Sequence, residues 1–300
     1  MSVKFSIIVP TYGRPAAITS CVEAFTCLSY PNDRFEVIVV DDGSAQPVEA
    51  LLGKFRGVVE LRIVRQANAG PAAARNAGLN MARGEYVAFT DDDCIAEHDW
   101  LNAFDEVFKA HPQACIGGWV ANGLHSNPYS VASQLLTDHV REFFAEKNSS
   151  LLFFTTNNIA FPTAALRRIG GFFERYRLVA SEDRELCYRW STSGGTLVWE
   201  PRAQVVHAHD LMLWEFIRQH FTYGRGAYHY YLAREDWNNS WPRPPLQFYI
   251  NLLRKPLQHS EPPAAALRLI ALLGLSQMAT AAGYLRERLL CREARAENAQ

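Results

Sequence analysis

The sequence predicts an α/β fold, with a mostly parallel central sheet flanked by helices and a helical C-terminal extension. Short runs of β-branched and aromatic residues recur over the first 120 residues, and helical stretches separate them. Such runs are typical of strands buried on both faces, and their alternation with helices predicts parallel strands joined by right-handed crossovers. After residue 210 the pattern changes to long helical stretches, which predicts the extension.

The individual elements follow in chain order. Five runs are predicted as strands: FSIIVP (5–10), FEVIVVDD (35–42), VELRIV (59–64), YVAFT (86–90) and ACIGGWV (114–120). Helices are predicted near 15–27, 46–56, 70–82 and 97–110. Ligands of such sheets bind at the carboxyl ends of the strands. The segments PTYGR, DDGS and DDDC follow predicted strands and are therefore predicted to bind ligand.

The composition indicates a globular cytoplasmic protein. Of the 300 residues 48% are hydrophobic and 20% are charged, which is enough for one large α/β domain or for a domain with an appended helical tail. A formal net charge of -1 argues against a broad basic surface, so no nucleic-acid partner is expected. Six scattered cysteines indicate reduced thiols, and the segment MSVKFSIIVP lacks the features of a signal peptide.

Three adjacent carboxylates, Asp91, Asp92 and Asp93, follow the fourth predicted strand. Two interpretations are open: a helix N-terminus and water absorb the charge, or a cation does. A second acidic pair, Asp41 and Asp42, ends the second strand. The pair suits hydrogen bonds to a nucleoside, and the triplet suits a hard divalent cation that is shared with substrate phosphates.

Five segments occur in an order and approximate spacing that resemble family 2 glycosyltransferases of GT-A fold: SIIVPTYGR, VIVVDDGS, NAGPAAARNAG, GEYVAFTDDD and SEDREL. The glycine series of a dinucleotide-binding fold and a P-loop are both absent from the sequence. The resemblance covers roughly residues 5–210. It implies a glycosyltransferase domain at 1–210, with a nucleotide-binding half at about 1–120 and an acceptor half at about 121–210, followed by a helical region at 211–300.

The resemblance implies a nucleoside-diphosphate sugar as donor, with a UDP-sugar favoured. Pro10, Thr11, Tyr12 and Asp42 match residues that hold the base and ribose, and Arg14 in the same PTYGR segment is predicted to join them.

Three further residues are implied in donor binding, each with an alternative. Arg75 in ARNAG resembles an arginine that flanks the base, and the alternative is a solvated helix residue. Asn157 and Asn158 align with a stretch near the donor sugar, where their amides would bind its hydroxyls or would instead cap a turn.

Asp91 and Asp93 fit the D-x-D pair of the family. The resemblance implies Asp93 as direct ligand of Mg²⁺ or Mn²⁺ and Asp91 nearer the ribose, with Asp92 as the alternative in a shifted register. His207 matches a histidine that would complete the metal shell or touch the diphosphate, and the alternative is a structural histidine. Strand alternation predicts His209 on the same face as His207, with a structural role.

The segment SEDREL is predicted to supply the general base. The resemblance assigns that role to Asp183, with Glu182 in support, and an acidic helix start is the alternative. Ser181 is predicted as the N-cap. A single base opposite a leaving group implies in-line attack with inversion at the anomeric carbon.

Residues after 210 are predicted to form long helices. The segment LWEFIRQHFTYGRGAYHYYLAREDW is predicted as one helix, broken at Gly224 and Gly226. Its Gln219 is not followed by the arginine and tryptophan of the Q-x-x-R-W segment of processive synthases, so non-processive transfer is expected. From residue 243 to residue 300 there are eight Lys or Arg and four Asp or Glu, around an apolar stretch at 264–285. Two hypotheses follow, a peripheral contact with the inner membrane face or a homodimer interface.

The sequence thus predicts an inverting, metal-dependent glycosyltransferase. Its acceptor is predicted to be a saccharide or a lipid-linked molecule, in cell-envelope or exopolysaccharide biosynthesis. The alternatives are a sugar-phosphate nucleotidyltransferase, for which PTYGRP is a poor loop, a catalytically silent nucleotide-sugar-binding module, and a membrane-bound transferase that charges a polyprenyl phosphate.

Overall fold

A computed structural model of the chain describes residues 3–145, 153–174, 180–236, 244–258 and 262–297. Within these residues eight strands form one sheet: β1 (Phe5–Thr11), β2 (Phe35–Asp41), β3 (Glu60–Arg65), β4 (Tyr86–Thr90), β5 (Cys94–Ala96), β6 (Ala114–Asn122), β7 (Asn158–Pro162) and β8 (Thr196–His207). The α-helices in the same residues are α1 (Pro15–Phe25), α2 (Glu49–Leu52), α3 (Pro71–Met81), α4 (Trp100–Ala110), α5 (Pro128–Ala145), α6 (Thr163–Arg168), α7 (Glu182–Thr192), α8 (Leu213–Asp236), α9 (Leu246–Gln258) and α10 (Pro263–Glu297).

The predicted fold class is confirmed, and the five predicted strands correspond to β1, β2, β3, β4 and β6. Every residue of β1, β2 and β4 is buried. Ile7 and Val9 of β1 belong to one apolar cluster with Ile18 of α1, whereas Ile8 belongs to a second cluster with Leu79 of α3. Burial on both faces explains why these strands are continuous apolar runs rather than alternating ones.

The strand order is β3-β2-β1-β4-β7-β6-β8-β5. The first four strands in this order and the pair β6 and β8 are parallel, as the alternation of strands and helices predicts. Strand β7 lies between β4 and β6 and is antiparallel to both, and β5 is antiparallel to β8. The expectation of parallel pairing therefore fails at these strands. Among the residues that the structure describes, the short β5 pairs with β8 alone, which begins 100 residues after β5 ends.

The described chain divides into two compact units. Unit 1 comprises Met1–Gly123, Ser150–Leu178 and Glu182–Ala208, and unit 2 comprises Leu124–Ser149, Val179–Ser181 and His209–Gln300. Unit 1 holds the sheet, and unit 2 holds α5, α8, α9 and α10. The roles assigned from the sequence to 1–210 and 211–300 remain predictions.

Helix α8 is continuous from Leu213 to Asp236, so the predicted break at Gly224 and Gly226 is wrong. The end of that predicted helix, at residue 237, lies outside the described residues. Both glycines permit a close approach of backbones instead. A Cβ atom at Gly224 would overlap the carbonyl oxygen of Thr280 in α10, and a Cβ at Gly226 would overlap that of Ala180.

Helix α10 makes the reciprocal contact through Gly283, where a Cβ would overlap the carbonyl oxygen of Phe221 in α8. We expect Gly283→Ala to lower the free energy of unfolding by about 2 kcal/mol, because the two helices must move apart. Gly274 lies in the same helix with open space around it, so Gly274→Ala is the matched control. It should raise the free energy of unfolding by up to about 1 kcal/mol, since alanine favours the helix. Urea denaturation measures both, and equal effects would contradict this packing.

Candidate active site

The carboxyl ends of β1, β2 and β4 meet at one edge of the sheet, as predicted. Thr11 lies opposite Asp41 in the β1–β2 register, and Asp42 N donates a hydrogen bond of 2.9 Å to the Thr11 carbonyl. Strand β4 is parallel to β1 and ends at Thr90, directly before the acidic triplet. The segments PTYGR, DDGS and DDDC therefore share one edge.

The acidic triplet occupies the turn between β4 and β5 and not the start of a helix. Helix α4 begins only at Trp100, and Cys94 N closes the turn by donating to the Asp91 carbonyl at 3.1 Å. The helix N-terminus therefore cannot absorb the charge of the triplet, and this alternative from the sequence is wrong.

Asp92 and Asp93 share the guanidinium group of Arg14. Arg14 Nη2 lies 2.5 Å from Asp92 Oδ1, and Nη1 donates to Asp93 Oδ2 at 2.6 Å. Thr11 Oγ1 donates to the other oxygen of Asp92 at 2.7 Å. Burial raises the pKa of Asp92 to about 6, although Arg14 and Thr11 both favour its ionised form. Arg14 is half exposed, so it is a counter-ion that a ligand can reach.

Asp93 also contacts His207, which the pairing of β5 with β8 brings to the triplet. Cys94 lies opposite His207 in that register, and Ala208 N donates to the Asp93 carbonyl at 3.0 Å. His207 Nε2 is 3.2 Å from Asp93 Oδ1. Burial opposes the charged imidazole, but Asp93 outweighs it, so the pKa of His207 is raised. Strand β8 ends at His207, so the alternation that predicted His209 on the same face does not reach it, and its structural role stays a prediction.

The donor atoms of Asp93 and His207 fit a hard divalent cation. Mg²⁺ binds its ligands at about 2.1 Å in octahedral geometry, which places adjacent ligand atoms about 3.0 Å apart. The separation of 3.2 Å between Asp93 Oδ1 and His207 Nε2 is close to that value. Cys94 also lies within 4.8 Å of these atoms. Burial raises the pKa of its thiol well above the usual value, so the neutral sulfur is a poor ligand for such an ion.

Arg75 connects the triplet to the start of α7. Its Nη2 donates to Asp91 Oδ1 at 2.7 Å, and its Nη1 donates to Glu182 Oε1 at 3.1 Å. Arg75 is 3% exposed, so the alternative of a solvated helix residue is wrong. In this structure the guanidinium group binds two carboxylates, and its predicted contact with a nucleotide base stays a prediction.

Helix α7 begins with the two predicted catalytic residues. Burial raises the pKa of Glu182 to about 7, with Arg75 opposing the shift and Asp183 adding to it. Burial also raises the pKa of Asp183, although Arg184, whose backbone N donates to Asp183 Oδ1 at 2.7 Å, opposes the shift. Ser181 has a φ of +94°, whereas an N-cap residue is extended. The predicted N-cap geometry is therefore not formed, and a strained residue precedes the acidic pair instead.

Asp42 holds the loop that leads into α3. Its Oδ1 accepts from Gln66 Nε2 at 2.7 Å and from Ala69 N at 2.9 Å, and its Oδ2 accepts from Gly70 N at 2.8 Å. Sequence reasoning missed Gln66, and no local signal connects it to Asp42. Of the other predicted nucleotide contacts, Pro10 is buried in β1, and Tyr12 is 57% exposed beyond the end of that strand.

Asn157 and Asn158 have different surroundings. Asn157 Oδ1 accepts from Thr155 Oγ1 at 2.6 Å within a turn, in line with the turn alternative. Asn158 is 1% exposed. Its amide donates to the carbonyls of Trp119 and Ala203, both at 2.8 Å, and accepts from Trp100 Nε1 at 2.9 Å. Both amide hydrogens thus bond to backbone carbonyl groups inside the sheet. We therefore do not retain Asn158 as a residue that binds the sugar of the nucleotide-sugar.

The raised pKa of Glu182 gives a testable dependence of stability on pH. Below about pH 4.5 this carboxyl is protonated in both states, and between about pH 4.5 and 7 only the unfolded state loses the proton. The stability that Glu182 contributes is therefore lost as the pH rises to about 7. We expect Glu182→Gln to reduce the loss of unfolding free energy between pH 5 and pH 8 by about 2 kcal/mol.

Urea denaturation of both proteins across this pH range measures the difference. Glu49→Gln, at a half-exposed glutamate of unit 1, is the control and should leave the pH dependence unchanged. Parallel pH profiles for the wild type and Glu182→Gln would contradict the burial of an ionisable Glu182.

A family-wide sequence model, Glycosyl transferase family 2, matches residues 6–171. A pre-mycofactocin glycosyltransferase of Mycobacterium tuberculosis is 32% identical over 197 residues, which cover 64% of this chain and 41% of the relative. Chondroitin synthase of Escherichia coli is 27% identical over 222 residues, which cover 63% of this chain and 32% of the relative. The chain thus spans less than half of the length of these relatives.

Solved structures share the fold. A mannosyltransferase from Pyrobaculum calidifontis, in complex with GDP-Man and Mn²⁺, superposes with a TM-score of 0.67 at 18% identity, over 96% of this chain and 87% of the other. Residues 1–349 of Staphylococcus aureus TarS, in complex with UDP-GlcNAc, superpose with a TM-score of 0.56 at 18% identity, over 97% and 92% of the two chains. At 18% identity this structural likeness shows that the chain has a GT-A-like fold.

Proposed function

The chain belongs to glycosyl transferase family 2, and we therefore propose that it is an inverting glycosyltransferase. The proposed donor is a nucleoside-diphosphate sugar, with a UDP-sugar favoured. The proposed acceptor is a saccharide or a lipid-linked molecule in cell-envelope or exopolysaccharide biosynthesis, reached from the cytoplasm.

The observation that carries this proposal is the bridge that Arg75 makes between two acidic groups. Asp91 belongs to the triplet, where a donor diphosphate would lie, and Glu182 precedes Asp183, the proposed base. Group transfer from a diphosphate needs both groups within one site, one for the leaving group and one for the acceptor proton. A single buried guanidinium group fixes them relative to each other.

Asp93 and His207 are the residues that would hold Mg²⁺ or Mn²⁺, because their donor atoms have the spacing of adjacent ligands. When bound, the ion supplies neutralisation of the charge that develops on the departing nucleoside diphosphate. Arg14 supplies a second positive group to the same place, since it already binds Asp92 and Asp93. Thr11 orients Asp92 through its hydroxyl group.

Asp183 is the proposed general base, and Glu182 supports it. A base works best when its pKa lies near the working pH, and burial raises the pKa of Asp183 toward that range. Glu182 supports it by accepting a hydrogen bond from Arg75, and the neighbouring charge of Asp183 adds to the rise in the pKa of Glu182. A single base acting opposite the leaving group implies inversion at the anomeric carbon.

Tyr12 and Asn157 are proposed to contact the nucleotide or the sugar, and Asp42 is proposed to shape the ribose site. Tyr12 is exposed next to the triplet's edge, where its ring can stack on a base. Asp42 already accepts three hydrogen bonds from the loop before α3, so we propose that it shapes the ribose site through that loop. The two solved structures named above bind GDP-Man and UDP-GlcNAc, so both nucleotides belong in any test.

Thermal unfolding with a panel of nucleotide-sugars, with Mn²⁺ or with chelator, tests the proposal. A transferase should be stabilised by one nucleotide-sugar in the presence of the ion and should release the nucleoside diphosphate, slowly with water and faster with an acceptor. Release of pyrophosphate from a nucleoside triphosphate and a sugar phosphate would favour the nucleotidyltransferase instead. Stabilisation with no turnover of any donor would favour the silent binding module.

A further inference from the structure

Helix α10 carries an exposed apolar stripe formed by Leu267, Met278, Leu285 and Leu289, here named the α10 stripe. These side chains are 66%, 64%, 53% and 59% exposed, respectively. At 3.6 residues per turn they lie within about 40° of one another around the helix axis. The stripe is about 33 Å long at 1.5 Å per residue. Between residues 268 and 286 the helix has no charged residue.

Helix α9, which packs against α10, also carries exposed apolar side chains. Leu246, Tyr249 and Leu257 are exposed, whereas Phe248 and Leu252 on the other side of the helix are buried. Helix α9 packs against α10 within unit 2. Exposed apolar side chains on two helices that pack together indicate an interaction site rather than scattered surface residues.

The opposite face of α10 is fixed to α8. Gly283 allows backbone contact with α8, and Glu287 accepts from Arg225 Nε at 2.8 Å and lies 3.1 Å from His229 Nε2. Among the described residues one helix, Pro263–Cys291, is long and apolar enough to cross a bilayer. Its packing against α8 and its ion-paired glutamate argue that α10 lies along the surface of unit 2 instead.

The exposed charged side chains described on α9 and α10 are arginines. Arg268, Arg286 and Arg288 are exposed near its ends, and Arg254 is exposed on α9. Glu287, the one acidic residue of these two helices whose side chain is described, is buried and paired. A second copy meeting this stripe, parallel or antiparallel, would bring arginines against arginines. The phosphates of anionic lipids complement both the charges and the apolar stripe.

We propose that unit 2 binds the surface of an anionic lipid bilayer, with the α10 stripe and the apolar residues of α9 in the interface and the arginines at the headgroups. This contact is independent of the proposed transferase activity. It would hold the protein at the membrane without a spanning segment.

Sedimentation of the protein with vesicles tests the proposal. Wild type should bind vesicles of four parts phosphatidylcholine and one part phosphatidylglycerol more strongly than pure phosphatidylcholine, and high salt should weaken this binding. Met278→Glu with Leu285→Glu should reduce partitioning by at least about tenfold, because two exposed apolar side chains no longer enter the interface. The matched control is Leu51→Glu with Val58→Glu, at similarly exposed positions of unit 1, which should have no effect.

A second pair of variants tests the charges. Arg268→Glu with Arg288→Glu should lower binding to anionic vesicles by about fivefold or more per arginine and leave binding to neutral vesicles unchanged. Arg168→Glu, at an exposed arginine of unit 1, is the control.

Two outcomes would overturn the proposal. One is a wild-type protein that does not prefer anionic vesicles, or whose binding is insensitive to the stripe variant. The other is a dimer in analytical ultracentrifugation that the stripe variant dissociates while vesicle binding persists, since this would assign the stripe to a second copy. Circular dichroism would show that each variant is folded, and donor-dependent thermal stabilisation would report separately on the proposed function.

Discussion

Asp183→Asn should leave donor binding nearly unchanged and lower the transfer rate by about 10²–10⁴-fold, the usual contribution of a general base. The amide keeps the shape of the side chain, and its oxygen can still accept the hydrogen bond from Arg184 N. It cannot take a proton from the acceptor hydroxyl group. Calorimetry with the donor and the transfer rate at saturating donor separate the two quantities.

A matched variant controls for the substitution itself. Asp99→Asn changes an exposed aspartate next to the start of α4, where the amide oxygen can keep the bond from Ser29, and it should leave the transfer rate unchanged. Near-native turnover of Asp183→Asn would show that the proton acceptor lies elsewhere, with Glu182 the next candidate. The inverting mechanism would then lose its main support.

Asp93→Ala should abolish the stabilisation that Mn²⁺ and a nucleoside diphosphate give together. The variant removes a carboxylate that lies 3.2 Å from His207 Nε2, so a cation would lose its proposed anionic ligand. Donor affinity in Mn²⁺ should fall by at least the roughly 10–100-fold that loss of an outer-shell partner costs a metal site. Unlike Asp183→Asn, this variant should weaken both donor binding and turnover.

The neighbouring residue tests the register of the triplet. Asp92→Asn can keep the bond from Thr11 Oγ1 and leaves Asp93 in place, so it should retain Mn²⁺-linked stabilisation. Thermal unfolding of both variants, with and without Mn²⁺ and the nucleoside diphosphate, measures the effect. Equal Mn²⁺-linked affinity in Asp93→Ala and wild type would remove the metal assignment, and loss in Asp92→Asn alone would transfer it to Asp92.

Local chemistry was sufficient for much of the fold and for the position of the acidic groups. Strands β1, β2 and β4 are buried on both faces. Such strands are apolar along most of their length, so they can be predicted without knowing which strands they pair with. Parallel strands then place their carboxyl ends at one edge, which is why Thr11, Asp42 and Asp91 could be predicted to lie close together.

The chain's own sequence could not reveal pairings between distant residues. His207 reaches Asp93 only because β5 pairs with β8, and Arg75 bonds Glu182 across 107 positions of the sequence. Gly224 likewise predicts a break in α8, but the helix continues through it and packs its backbone closely against α10.

The sequence by itself determined strands β1, β2, β3, β4 and β6, the helices between them and the edge of the sheet that holds the acidic residues, because periodicity and strand burial are local properties. Only the tertiary structure decided the insertion of β7, the partners of Asp93 and the buried bridge of Arg75. These depend on which surfaces pack together, and packing selects among pairings that local periodicity leaves equivalent.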